Sequence, residues 1–356
     1  MKILSIIGAR PQFIKCAPLS RAIRKEHKEI LVHTGQHYDI NMSEIFLKEL
    51  KIPEPDYNLG IGSGRHGEQT GKMLLEIEKI LLKEKPDMVL VYGDTNSTLA
   101  GSLAAAKLQL KLIHVEAGLR SFDRSMPEEI NRVLTDHVSN LLFCPTKTAV
   151  QNLKKEGICK RVYNVGDIML DSIVYNQRQA EKKSNILKEL GVSPKKYLLA
   201  TIHRPANTDS RENLISIVNA LFDVNETIVF PIHPRTEKYL RQYGLWETLT
   251  QKIIAIPPVG YLDMLKLEAN ALKILTDSGG VQKEAYMLGV PCITIRENTE
   301  WIETVEDGWN VLVGANYEQI VNSVKNFCGC TSKKNVFGTG DASEKICKIL
   351  NSEFDL

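Results

Sequence analysis

Short runs of Val, Ile and Leu recur along this chain with little polar alternation, and longer amphipathic segments separate them. The runs lie near residues 2–7, 29–34, 87–93, 111–116, 141–145 and 161–166. A strand with one face in water alternates polar and apolar residues, so runs that are apolar throughout need cover on both faces. Helices supply that cover: in 68–84, Met73, Leu74, Ile77, Ile80 and Leu81 recur at helical spacing, and 96–109 is similar. The pattern then restarts. Runs near 197–203, 227–233, 252–256, 272–276, 291–296 and 310–314 alternate with helical segments near 209–223, 234–243, 261–269, 281–288 and 316–328. The polar stretch 168–196 reads as helical, 331–341 as a loop, and 342–352 as a last short helix. The fold class expected is α/β, with two doubly wound Rossmann-like domains facing across a cleft. The first covers 1–167 and the second 168–340, while a helix at about 341–356 packs back on the first.

The 356 residues suit two domains. A net charge of +2 gives no case for nucleic acid or an anionic membrane as partner. The apolar run that ends at Gly8-Ala9-Arg10-Pro11 is too short for a signal-peptide core or a membrane span, which points to a cytoplasmic protein. Cys16, Cys144, Cys159, Cys292, Cys328, Cys330 and Cys347 are scattered, and the pair 328/330 lacks the second pair of a zinc site. With no His-Glu-x-x-His among the histidines, neither a metal nor a cofactor is expected.

In open α/β sheets ligands bind beyond the carboxyl ends of the strands, and polar residues gather there. They include Arg10 and Lys15 after the first strand, Asp94, Thr95 and Asn96 after the third, and Glu116 and Arg120 after the fourth. Glu128 and Arg132 follow at the start of a helix, and in the second half His203, Asp277, Ser278 and Arg296 end strands. Any one of these could be a helix cap, since Asp, Ser and Thr are favoured there. As a set, Asp94, Glu116 and Glu128 with Arg10, Lys15 and His203 converge on one cleft if the fold is right. Ser278-Gly279-Gly280 has its own physics, because glycines let the backbone approach a ligand and the free N–H groups of a helix start favour an anion such as pyrophosphate. Glu284 lies about one to one and a half turns further on, within reach of a ribose hydroxyl pair. By contrast, Gly62-Ser63-Gly64-Arg65-His66-Gly67 matches a dinucleotide fingerprint only in spacing. No convincing strand precedes it, and Asp87 stands at the start of the next strand, so a flexible Gly-rich loop is the reading.

Taken together, the strings Gly-Ala-Arg-Pro-Gln (8–12), Gly-Asp-Thr (93–95), His-Val-Glu-Ala-Gly-Leu-Arg (114–120), Pro-Glu-Glu-Ile-Asn-Arg (127–132) and Asp-Ser-Gly-Gly-Val-Gln-Lys-Glu (277–284) resemble those of the non-hydrolysing UDP-N-acetylglucosamine 2-epimerases. The resemblance runs from Gly8 to about Gly314 and implies the two-domain fold of GT-B glycosyltransferases. It further implies Asp94, Glu116, Glu128 and His203 as catalytic groups, and Arg10, Lys15, Arg132, Ser278, Gly279, Gly280, Glu284 and Arg296 as substrate-binding groups. A homodimer is implied too. Bacterial members often carry a second, allosteric substrate site near Gln36-His37; here Tyr38-Asp39 follows where many relatives have Arg-Glu.

The reaction so implied is reversible C2 epimerisation of UDP-N-acetylglucosamine to UDP-N-acetylmannosamine. UDP is eliminated to leave 2-acetamidoglucal and then adds back, with no nicotinamide. Two of Asp94, Glu116 and Glu128 would serve C2 and the third assist nearby. Rival readings are a GT-B glycosyltransferase, a hydrolysing relative that releases UDP and N-acetylmannosamine, and the same isomerase chemistry on a modified sugar such as a diacetamido uronic acid.

Overall fold

A computed structural model describes residues 1–36 and 47–354. The chain divides into two compact units, Met1–Val174 with Asn335–Leu356, and Tyr175–Lys334. In the first, the strands are β1 (Lys2–Ile7), β2 (Lys28–His33), β3 (Tyr57–Asn58), β4 (Met88–Tyr92), β5 (Lys111–Val115), β6 (Leu141–Cys144) and β7 (Val162–Asn164). They lie in the order β3-β2-β1-β4-β5-β6-β7, and every neighbouring pair is parallel. The second unit holds β8 (Leu198–Thr201), β9 (Ile228–Pro231), β10 (Ile254–Ile256), β11 (Lys273–Thr276), β12 (Cys292–Thr294) and β13 (Asn310–Leu312). Their order is β10-β9-β8-β11-β12-β13, again parallel throughout. These are the two parallel-sheet α/β units of a GT-B-type chain. In each sheet the strand order reverses once, between β1 and β4 and between β8 and β11. Crevices for ligands open beyond the strand ends at such points.

The continuous apolar runs are explained by what covers them. In the second unit Leu198, Ala200, Phe230 and Leu275 pack into one cluster with Leu214, Ile217 and Ile320. The alternate residues Tyr197, Leu199, Val229 and Ile274 pack into another with Leu267, Ala285 and Val290. Successive strand residues point to opposite faces, and here both faces are dry. In the first unit Leu4, Ile6, Val89 and Val91 meet Met73, Ile77, Ala100 and Ala104. The small residues of helix Asn96–Lys107 let it approach closely, and a Cβ built on Gly101 would stand 2.5 Å from Ile6 Cδ1. Each fully buried Leu or Ile contributes about 1.5–3 kcal/mol.

Three details differ from or refine the sequence reading. Tyr57 and Asn58, too weak a run to read as a strand, pair with Val32 and His33 at the sheet edge. Two residues carry no periodicity, so only the tertiary edge defines them. Helix His66–Glu84 starts inside the Gly-rich stretch 62–67. Asp87 sits at the amino end of the sheet, where its carboxylate accepts the Lys2 N–H at 2.6 Å, remote from any strand-end ligand position.

The last helix, Ala342–Phe354, belongs to the first unit. Asp171, on helix Ile168–Lys183, caps it from outside by accepting the N–H groups of Ala342 (3.1 Å) and Ser343 (2.8 Å). Beyond β5, Gly118 is in the left-handed region at φ +81°, and a Cβ there would stand 2.4 Å from the Ala149 carbonyl oxygen. The conformation alone disfavours any other residue by about 1–2 kcal/mol, and the clash adds to that. Gly118→Ala is therefore expected to lower the free energy of unfolding by more than this amount, read as a shift of the urea midpoint at unchanged slope.

Candidate active site

At the switch point of the first sheet, the turn after β1 is built by Gln12. Its Oε1 accepts the N–H groups of Gly8 (2.8 Å) and Ala9 (3.1 Å). Its Nε2 donates to the Tyr92 carbonyl and to Thr98 Oγ1, both at 3.0 Å. One buried amide thus joins the turn after β1 to the turn after β4. Gly8 is required there, because a Cβ would lie 2.0 Å from Thr34 Oγ1. Arg10 opens helix Arg10–Ile23 half-buried, and the buried Lys15 lies one turn on. Lys15 forms a buried ion pair with Glu116, which stands just beyond β5 with φ +75°. Both side chains lie against Gly93, where a Cβ would meet Glu116 Oε2 at 3.0 Å and Lys15 Nζ at 3.1 Å.

Asp94 follows directly. The neighbouring Thr95 is the cap of helix Asn96–Lys107, so the Asp94 side chain is not used there. It turns instead to Arg132, whose Nη2 and Nε donate to Asp94 Oδ2 at 2.5 and 3.2 Å. Asn131 donates to the Asp94 carbonyl at 3.0 Å. Arg132 Nη1 reaches Glu129 at 2.8 Å, and Glu129 also accepts the N–H groups of Ser121 (2.9 Å) and Phe122 (3.0 Å). The two adjacent glutamates therefore diverge. Glu129 is buried and builds the loop, while Glu128 is exposed in the first turn of helix Pro127–Val138, one turn before Arg132. Lys15 and Arg132, read as substrate-binding groups, are here the cations of Glu116 and Asp94.

Behind these turns lies a buried network. Asp136 accepts Arg120 Nη1 (2.7 Å) and the Gly118 N–H (3.1 Å), and its other oxygen is 2.7 Å from His114 Nδ1. Arg120 also grips Glu156 with Nε and Nη2, each at 2.7 Å. Burial pushes the Asp136 carboxyl up, but His114 and Arg120 outweigh it and hold the group below its ordinary range. Hydrogen bonding from Arg120 holds Glu156 low as well. Near the first crevice, Gln36 accepts the Ser97 N–H at 3.0 Å, whereas His37, Tyr38 and Asp39 lie outside the described residues.

The second unit repeats the plan at β8 and β11. The fully buried Asp277 accepts the N–H groups of His203 (3.0 Å) and Arg204 (2.9 Å) and Asn207 Nδ2 (3.0 Å). His203 Nδ1 is 3.3 Å from the same carboxylate, and its side chain is 40% exposed. Ser278 caps helix Gly279–Leu288 by accepting the Val281 N–H at 3.5 Å, the ordinary role of a serine at a helix start. A Cβ on Gly279 would stand 2.3 Å from Glu300 Oε1, whereas one on Gly280 would meet nothing closer than 3.8 Å. Glu284 is buried a turn further along. Arg296, read as facing a diphosphate, is paired with Glu300 at 3.0 Å. Burial raises the Glu300 carboxyl, yet Arg296 and Arg204 bring it below its usual range.

The sequence reading gave no supporting role to Gln12, Glu129, Asn131 and Asp277, which it named or quoted in its strings, and did not single out Asp136 or Glu156. Asp136 had a usable signal, since it lies one turn after Arg132 on the same helix face. Gln12 stood in the quoted Gly-Ala-Arg-Pro-Gln string, whereas Glu156 had no signal beyond its side-chain type.

A family model described as UDP-N-acetylglucosamine 2-epimerase matches residues 21–351. The chain is 61% identical over 356 residues to a protein of Methanococcus maripaludis named UDP-N-acetylglucosamine 2-epimerase homolog, covering 99% of this chain and 100% of the other. It is 51% identical over 360 residues to the UDP-2,3-diacetamido-2,3-dideoxy-D-glucuronate 2-epimerase of Pseudomonas aeruginosa, covering 98% and 99%. Among solved structures it is similar to the Methanocaldococcus jannaschii UDP-GlcNAc 2-epimerase in complex with UDP-GlcNAc and UDP, at TM-score 0.93 and 51% identity, covering 99% and 100%.

Asp136 and Glu156 give the network a definite pH signature. Folded values below the unfolded ones, about 3.9 for Asp and 4.3 for Glu, mean stabilisation that is complete above those values and lost as pH falls through the lower folded ones. Replacing Arg120 leaves Asp136 and Glu156 with one cation fewer between them and removes a donor from the buried Asp136, at a cost of about 3–5 kcal/mol. Urea unfolding of Arg120→Met against the unmodified chain should show that difference at neutral pH and a shrinking one below about pH 4.

Proposed function

This chain belongs to the UDP-N-acetylglucosamine 2-epimerase family, and from that premise we propose that it interconverts UDP-N-acetylglucosamine and UDP-N-acetylmannosamine without net hydrolysis. The observation that carries the reading is the pair of carboxylates beside Gly93. Asp94 and Glu116 extend from neighbouring strand ends, each held by a buried cation. In the second unit, a glycine-led helix start and a histidine braced by Asp277 suit a diphosphate. The relative named for UDP-GlcNAc binds it together with UDP.

The C2 hydrogen of the substrate is not next to a carbonyl, so removing it directly is difficult. Loss of UDP makes it acidic. The C1–O bond breaks with its electron pair passing to the diphosphate, and a carboxylate takes the C2 proton as the C–H pair becomes the C1=C2 bond. The products are 2-acetamidoglucal and UDP. On return, a diphosphate oxygen attacks C1 while a proton reaches C2 from the opposite face. Asp94 and Glu116 serve C2, with Glu128 and His203 assisting, and the acid and base exchange roles when the reaction reverses. Cations and N–H groups stabilise the leaving diphosphate. Arg10, Ser278, Gly279, Gly280, Glu284 and Arg296 are the substrate-binding set, together with Lys15 and Arg132, which also pair with Glu116 and Asp94.

A second substrate is favoured by one observation. The Pseudomonas aeruginosa relative is named for a UDP-diacetamido uronic acid and is 51% identical over nearly the full length. The same elimination and re-addition would apply to that sugar. A homodimer is part of the proposal, and it has support on the surface of the first unit. Helices His66–Glu84, Asn96–Lys107 and Pro127–Val138 pack in succession. The outer two expose Leu75 (59%), Leu82 (56%), Ile130 (48%) and Leu134 (43%), large apolar side chains that a dimer interface would cover.

Four experiments test the proposal. Incubation with UDP-N-acetylglucosamine alone in D₂O should form the manno isomer with deuterium at C2, followed by NMR; interconversion without deuterium would exclude the proton exchange, and free N-acetylmannosamine would indicate the hydrolysing reaction. A panel that includes the diacetamido uronate decides between the two sugars. Glu116→Gln should lower turnover by about 10²–10⁴. Light scattering should give a dimer for the unmodified chain and a monomer for the double variant Leu75→Lys, Leu82→Lys; a monomeric unmodified chain would rule the dimer out.

A further inference from the structure

His114 is the penultimate residue of β5 and is fully buried. Its Nε2 lies 2.8 Å from the Gly93 carbonyl oxygen and its Nδ1 lies 2.7 Å from Asp136 Oδ1. A carbonyl oxygen can only accept, so Nε2 carries a hydrogen. Asp136 accepts on its other oxygen from the Gly118 N–H and from Arg120, and both contacts favour the anion. An anionic carboxylate also only accepts, so Nδ1 carries a hydrogen too. Neutral imidazole has one donor and one acceptor and would leave two buried acceptors facing each other across one ring position. The charges agree. With the ring cationic, His114 and Arg120 match Asp136 and Glu156; with the ring neutral, one carboxylate lacks a cation. The remaining titratable neighbours do not change this. His137 reaches Glu156 from the exposed side, and burial keeps the Cys144 thiol near Asp136 in its protonated form.

What the ring holds is the base of the site. Gly93 donates its N–H to the Val115 carbonyl at 2.9 Å and gives its own carbonyl to His114, so consecutive residues of β5 pin both of its polar groups. Asp94 is the next residue. Through Asp136 the same ring is joined to the Gly118 N–H, two residues after Glu116. We propose that His114 is a positioning residue, doubly protonated, which couples the Gly93 turn to the Glu116–Gly118 turn and so fixes where Asp94 and Glu116 stand relative to each other. This rests on the reading of those two carboxylates as the proton-transfer groups.

The test has two arms. In the first, nitrogen NMR of the unmodified chain labelled with ¹⁵N-histidine, assigned by loss of the signal in His114→Gln, should show hydrogens on both ring nitrogens near neutral pH. A neutral tautomer with one bare nitrogen overturns the proposal. The second arm uses two variants close to the native shape. Gln places an amide N–H₂ near the Nε2 position and can keep the Gly93 bond, whereas Asn places one near Nδ1 and keeps only the Asp136 bond. Misplacing reacting groups by about 1 Å costs about 10²-fold. His114→Asn should lose about that factor in kcat, and His114→Gln clearly less, with KM and the dissociation constant for UDP little changed in either. Folded variants that both keep the native kcat, or that lose it equally, overturn the proposal. Should neither variant fold, the nitrogen spectrum decides alone, with the His114 signals assigned by eliminating those of the other seven histidines through single substitutions. That spectrum needs no turnover, so an unmodified chain without epimerase activity would count against the proposed reaction and not against the doubly protonated ring.

Discussion

A carboxylate shut away from water is tolerable only when donors surround it, and Asp136 is surrounded by a guanidinium, a backbone N–H and an imidazole. Much of the first unit's site follows from that requirement. Arg120 is drawn inward to Asp136 and carries Glu156 with it. Gly118 takes a left-handed conformation that brings its N–H to the carboxylate. His114 spans from Asp136 to the Gly93 carbonyl. Breaking one member of such a set costs more than the set contributes as a whole, because the survivors remain buried and unmatched.

The second unit meets the same need differently. Asp277 is fully buried beyond β11, but its donors come mainly from the backbone after β8 and from Asn207. A carboxylate at this position shapes the chain that carries His203, much as Asp136 shapes the chain that carries Glu116. In both units one residue of the proposed chemistry is more accessible than the carboxylate behind it. Asp94 and His203 are partly exposed, while Asp136 and Asp277 are buried. Rigid support behind an accessible group is what precise placement of a reacting side chain demands.

The fold was legible in the sequence to a degree set by the length of each element. Runs such as Met88–Tyr92 and Leu198–Thr201 are apolar throughout and buried throughout, so their character as covered parallel strands could be read directly. Tyr57–Asn58 could not, since two residues hold no pattern and their pairing depends on the edge that β2 offers. Among the site residues, the glycine turn before helix Gly279–Leu288 and the strand-end acids were visible as residue types in positions that parallel sheets reserve for ligands. The different fates of Glu128 and Glu129 were not visible. They are adjacent and chemically alike, and only the packing of their helix buries one and exposes the other.

The sequence by itself determined the two parallel-sheet units, the strand ends at which polar and charged residues gather and, through five motifs together, the family. These are properties of local periodicity and of residue type at fixed spacing, which a linear chain records. The tertiary structure alone decided which charge answers which. Lys15 pairs with Glu116, Arg132 with Asp94 and His114 with Asp136, and each pair is far apart in the chain or on different elements. Partners of that kind are chosen by distance and burial once the sheet has brought strand ends side by side, and no spacing along the chain encodes either quantity.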